Sequence, residues 1–316
     1  RHLGAVNHDC CDKFISLGIT VSDYSAGMPS RLFMKLLSLN VFVQAAIIVT
    51  GGIVRVTASG LGCPTWPECV EGSITPTDSQ TEAWHKYVEF GNRTLTGVLA
   101  VIALATAVAV WRSTTDRRLR VLGLSALAGT VGQAILGGIT VLTGLNPYTV
   151  AAHFLLSILI VALCFELWWR FRYGVSRTDA ATAWFSRILL GVCAVVISLG
   201  TLVTGSGPHS GDSNISHRMP LDPRVIAWIH ADAVWLFLGL IVASFALVKF
   251  NKFPLELTKT LYVLSAVVLA QGALGYTQHF TGLPVLLVGL HVLGSVSVWV
   301  ATLYATHRMR ADSLTR

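Results

Sequence analysis

The chain has 316 residues, of which 53% are hydrophobic and 12% charged, against about 25% charged in an average soluble domain. That balance excludes an ordinary water-soluble globule and points to a protein in contact with lipid. The net charge of +7 does not point to nucleic acid, because the basic residues sit in short loops between apolar runs and form no continuous patch.

Residues 1–30 are mixed and polar, include Cys10 and Cys11, and precede any apolar run. They read as a flexible cytoplasmic leader without a secretory pattern. A helix needs about 20 apolar residues to cross a bilayer core. Eight such runs follow, at 33–54, 86–110, 119–142, 149–169, 185–205, 225–248, 258–279 and 284–305. Backbone groups in lipid must be satisfied within their own segment, so all eight are expected to be helices. The predicted fold is an all-α membrane protein of eight transmembrane helices.

The loops that follow even-numbered spans carry Arg112, Arg117, Arg118, Arg120, Arg170, Arg172, Arg177, Lys249, Lys252 and Lys259, while Arg31 and Lys35 precede the first span and Arg308, Arg310 and Arg316 end the chain. By the positive-inside rule that side is cytoplasmic, both termini with it, in a multi-pass protein of the cell membrane. The loop after span 1 is acidic instead, with Glu68, Glu71, Asp78 and Glu82; Arg218 and Arg224 are a mild exception on the outer side.

Span 1 ends outside at Arg55, and Cys63-Pro-Thr-Trp-Pro-Glu-Cys69 follows. Disulfides persist in an extracytoplasmic compartment. A Cys63–Cys69 bridge is therefore either a structural staple or an exchangeable redox pair, and Trp66 is placed at the membrane interface. Span 2 opens with Glu89, Asn92 and Arg93 on one helical face. Glu89 and Arg93 are either a structural ion pair or an acid and a base beside a site, and Arg93 or Arg55 suits a propionate.

Shifting the chain by 138 positions lays spans 2–4 on spans 6–8: Gln133 falls on Gln271, Thr143-Gly-Leu145 on Thr281-Gly-Leu283, His153 on His291 and Ser157 on Ser295. Span 1 ends in Thr57-Ala-Ser-Gly60 and span 5 in Thr204-Gly-Ser-Gly207. Two four-helix bundles related by a pseudo-twofold axis along the membrane normal are expected, at 31–172 and 173–310, with a short tail at 311–316.

Ionisable side chains inside a span are expensive and functional by default. His230 and His291 lie early in spans 6 and 8, which run the same way, so their rings share a depth near the outer face. Imidazole is a usual axial ligand for heme iron, and two rings on facing helices of a bundle can clamp one heme; the alternative is an interhelical hydrogen bond for each. In the first half His153 matches His291, but Asn92 stands where His230 would be. One histidine, alone or with water or a distant group, is then left for a first-half heme.

These residues resemble the heme A synthase family. Gly51-Gly-Ile-Val-Arg-Val-Thr-Ala-Ser-Gly-Leu-Gly-Cys-Pro-Thr-Trp-Pro-Glu-Cys69 looks like its first helix and outer loop, Glu89-Phe-Gly-Asn-Arg93 like its Glu-x-x-His-Arg motif, and Gln133-Ala-Ile-Leu-Gly-Gly-Ile-Thr-Val141 like its third-helix motif, the likeness running over about residues 33–307. The resemblance implies oxidation of one ring methyl of heme O to a formyl group, giving heme A for cytochrome oxidase. It implies heme b held by His230 and His291, substrate heme in the first half at His153, Asn92, Arg93 and Arg55, and Glu89 as the catalytic acid. It also implies heme O synthase as a partner and an electron acceptor whose identity the motifs leave open. A homo-oligomer is left open too. Asn92 departs from the family's usual histidine and suggests a variant branch. A diheme cytochrome exchanging electrons with quinol is the competing reading; it predicts two histidines in each half, which Asn92 opposes.

Overall fold

A computed structural model describes residues 30–175, 178–214, 217–251 and 253–312. The expectations for the leader with Cys10 and Cys11, for Arg177, Lys252 and Arg316, and for the last residues of the tail fall outside that range. Eight helices follow one another: α1 (Arg31–Val56), α2 (His85–Ser113), α3 (Arg117–Leu142), α4 (Pro147–Tyr173), α5 (Ala180–Ser206), α6 (Pro223–Phe250), α7 (Leu255–Phe280) and α8 (Val285–Asp312). All eight are long and apolar enough to cross a membrane, and the chain is a multi-pass membrane protein.

The helix ends follow from local chemistry. Asp116, Asn146, Asp179 and Asp222 cap α3 to α6 by accepting first-turn N–H groups, and Pro147 and Pro223 open α4 and α6, where a missing N–H costs no hydrogen bond. The repeated Thr-Gly-Leu triplets have a shared backbone cause. Gly144 and Leu145 take φ 60 and 56, and Gly282 and Leu283 take φ 80 and 60. Two successive left-handed residues reverse the chain between α3 and α4 and again between α7 and α8, and glycine carries the first without penalty. Each turn is closed alike, Leu145 N–H donating to Thr140 O at 2.9 Å and Leu283 N–H to Gln278 O at 2.8 Å.

Packing follows the repeat. In the first half α1 touches α2 and α4, and α3 touches α2 and α4; in the second half α5 touches α6 and α8, and α7 touches α6 and α8. Each half is thus a closed ring of four helices, with α2 diagonal to α4 and α6 diagonal to α8. The halves meet through α1 on α8, α4 on α5 and α4 on α8, a set that exchanging the halves maps onto itself. This is the expected pair of four-helix bundles.

Within lipid, apolar burial adds little to helix association, and polar contacts and close packing carry more of it. The seam between halves shows both. Trp299 Nε1 donates to Ile158 O at 3.0 Å. At the end of the bundle away from the Cys63 loop, His307 Nε2 lies 2.6 Å from Glu166 Oε2, and Arg170 Nε donates to Glu166 Oε1 at 2.5 Å. At the loop end, Gly60 N–H donates to Gly211 O at 2.7 Å, so the two long loops are joined as well. Replacing His307 by Ala, or Glu166 by Gln, is expected to lower stability in detergent unfolding by about 1–2 kcal/mol. Wild-type stability in both variants would mean that the Glu166–His307 contact does not help hold this seam.

Candidate functional site

The histidines stand on diagonal helices at matched depth. Asn92, His153, His230 and His291 each lie about two turns inside the loop end of α2, α4, α6 and α8. In the second half His230 Nδ1 is 3.0 Å from Val196 O, which leaves Nε2 as the unengaged nitrogen. The ring lies beside Gly200, where a Cβ would stand 3.4 Å from its Cε1. His291 stands on the diagonal helix α8 at the same depth. Its own Nδ1 is buried without a partner.

The unit around His291 is copied around His153. Gln271 Nε2 donates to His291 O at 2.8 Å, and Gln133 Nε2 donates to His153 O at 2.8 Å. A Cβ on Gly275 would lie 3.1 Å from His291 Cε1, and one on Gly137 would lie 3.2 Å from His153 Cε1. In both copies the histidine Nδ1 and the glutamine Oε1 are buried and unpartnered. The glycine lets the Cε1 edge of the ring approach the neighbouring helix, and the glutamine bonds the backbone that carries it. The glycine pair was readable as a further match in the same register; the glutamines matched in sequence without disclosing this contact.

Asn92 breaks the copy. Its Oδ1 accepts from the Thr50 hydroxyl of α1 at 2.7 Å, so the position that holds a ring in the second half holds a tethered amide in the first.

Above His153, the rim is built from the Cys loop. Cys63 and Cys69 form the expected disulfide and are fully buried. Glu89 Oε2 accepts from Cys63 N–H at 2.6 Å, and its Oε1 pairs with Arg93 Nη2 at 2.6 Å. Arg93 also donates to Cys63 O at 2.7 Å, Thr65 O at 2.9 Å and Glu68 O at 3.1 Å. The Glu89–Arg93 pair therefore exists as an ion pair, and it binds the loop to α2. Lys86, buried beside it, donates to Thr77 O at 2.7 Å and ties down the later part of the same loop. Sequence reasoning missed Lys86, which carried no signal beyond a basic residue at a span's edge.

Arg55 is directed across the seam. Its Nε donates to His209 O at 2.9 Å and its Nη2 to Thr204 O at 3.0 Å, both in the second half. Trp66 packs over α3, so close that a Cβ on Gly138 would lie 2.6 Å from its ring. Among the described residues no group of three or more His, Cys, Asp or Glu side chains could hold a bare metal ion. A porphyrin iron needs only the axial positions from protein, so unengaged imidazoles suffice.

Fold and site together define a two-half membrane bundle that presents imidazoles on diagonal helices beneath a disulfide-closed rim. A family model described as COX15-CtaA, cytochrome oxidase assembly protein, matches residues 34–303, and the chain belongs to that family. The chain is also similar to proteins named heme A synthase: 33% identical over 138 residues to one from Lysinibacillus sphaericus, covering 43% of this chain and 44% of the relative. It is 32% identical over 135 residues to one from Listeria welshimeri, covering 42% and 43%, and 32% identical over 136 residues to one from Bacillus pumilus, covering 42% and 43%. These alignments span less than half the length of the relatives.

Arg93→Ala should speed proteolysis of the loop between Cys63 and Trp84 about tenfold, the effect of losing about 1.4 kcal/mol of local stability. Arg93→Lys should recover only part of this, because one ammonium cannot serve carbonyls spread across the guanidinium plane. Unchanged cleavage in Arg93→Ala would show that the arginine's bonds to loop carbonyls do not order the loop.

Proposed function

We propose that the chain is a heme A synthase: an oxidoreductase that converts the ring methyl of heme O to the formyl group of heme A. The observation that carries the reading is the repeated unit of histidine, facing glycine and glutamine in both halves. It seals each ring's Nδ1 against the neighbouring helix and leaves Nε2, which no hydrogen bond engages, as the nitrogen open to an iron. The donor set fits a porphyrin. His230 and His291 would hold heme b, and His153 would hold the substrate heme. Bound there, heme b supplies a reversible one-electron centre for the oxidation.

The chain's own residues do the rest. Gly137 and Gly275 set the rings against the neighbouring helices, and Gln133 and Gln271 fix them. The disulfide loop, held by Glu89 and Arg93, closes the first-half site against water. Among the described residues Glu89 is the one buried carboxylate at that rim, and it is assigned the proton traffic that accompanies oxidation of the methyl. Arg55, with donors to spare beyond His209 O and Thr204 O, supplies positive charge for porphyrin carboxylates, while Arg93, its N–H groups taken by Glu89 and loop carbonyls, shapes the rim. The basic residues Arg112, Arg117, Arg118, Arg120, Arg170, Arg172, Lys249 and Lys259 gather at the opposite end. This supports a cell-membrane topology with the heme sites near the extracytoplasmic face. Heme O synthase would supply the substrate.

The test is expression in a host that makes heme O but no heme A, followed by chromatography of extracted hemes. Wild type should yield heme A, and Glu89→Ala should lower the yield about 100-fold. No heme A from wild type would refute the function; full yield from Glu89→Ala would refute the role given to the carboxylate.

A further inference from the structure

We infer that the first half gives a porphyrin iron one protein ligand, His153, and leaves the opposite coordination position open beside the Asn92 amide, so that this half binds a small neutral diatomic molecule while the second half does not. The inference rests on the heme reading above and deepens it.

Asn92 and His153 occupy α2 and α4 as His230 and His291 occupy α6 and α8, on diagonal helices and at the same depth. The second-half pair is two imidazoles. In the first half the α2 member is an amide, neutral and a weak ligand, and its oxygen accepts the Thr50 hydroxyl at 2.7 Å. The Asn92 NH2 group is then the end that can donate.

The other ligating groups of this half are committed elsewhere. His85 is excluded by its level: it stands about two turns, roughly 10 Å, nearer the rim than Asn92, with its ring stacked on Trp84. Cys63 and Cys69 are joined to each other. Cys164 lies three turns further along α4, receiving Asn40 Nδ2 at 3.4 Å. Both Glu89 oxygens are engaged by Cys63 N–H and Arg93. No imidazole, thiol or carboxylate among them replaces the missing ring.

An iron with one imidazole takes up exogenous ligands, whereas one held by two imidazoles has both axial places filled. A hydrogen-bond donor beside the open place polarises a neutral diatomic molecule bound there.

The experiment uses the full-length purified protein, loaded with heme b in both halves, reduced and titrated with carbon monoxide. Wild type should bind about one carbon monoxide for every two hemes. Asn92→His should abolish uptake and turn the high-spin absorption low-spin, and His230→Ala should add a second carbon-monoxide site. Asn92→Leu, which cannot ligate iron, should keep uptake and shift the infrared C–O stretch to higher frequency as the donor is lost. Two low-spin hemes that take up no carbon monoxide in wild type would overturn the inference and leave the heme function standing. Uptake unchanged in a folded Asn92→His, or a C–O stretch unmoved in Asn92→Leu, would overturn it too. A protein that binds no heme would end both readings.

Discussion

An imidazole nitrogen buried in a membrane bundle without a hydrogen-bond partner is an unsatisfied polar group in the medium least able to tolerate one. The described residues place this arrangement at His153 and again at His291, with a glycine against each ring and a glutamine on each backbone carbonyl. That repeated packing closes off Nδ1 and leaves Nε2 as the open nitrogen of each ring. The matched depth of α4 and α8, the Thr-Gly-Leu turns that set it and the seam between halves all act to hold those rings in place.

The two halves share this scaffold and differ in what surrounds it. In the second half His230 is fixed through Val196 O. In the first half the equivalent ring is gone, and a carboxylate, a guanidinium and a buried lysine bind a disulfide loop over the site. In the proposed function one half keeps a cofactor and the other admits and transforms a ligand. Arg55, donating from α1 to carbonyls of the second half, fixes the two rims relative to each other.

The helices were legible in the sequence because only an apolar run can cross a bilayer as a helix, and the observed ends lie close to the expected ones. The register that aligned His153 with His291 also exposed the ring-facing glycines. Contacts that break the repeat were hidden by the same register: Glu166 aligns with Tyr304 and His307 with Trp169, so nothing marked Glu166 and His307 as partners across the seam. Loop-to-helix bonds such as Cys63 N–H to Glu89 have no periodicity to betray them, which left the ion-pair and site readings of Glu89 unresolved. Trp66, expected at the interface, covers Gly138 near the loop end of α3, a contact set by loop conformation rather than residue type.

The central claim is that His230 and His291 grip one iron. Near-infrared magnetic circular dichroism of the oxidised protein tests it, because iron held by two imidazoles gives a characteristic charge-transfer band. The band should be present in wild type and lost in both His230→Ala and His291→Ala. Its absence from heme-loaded wild type, or its survival in either variant, would contradict the shared ligation.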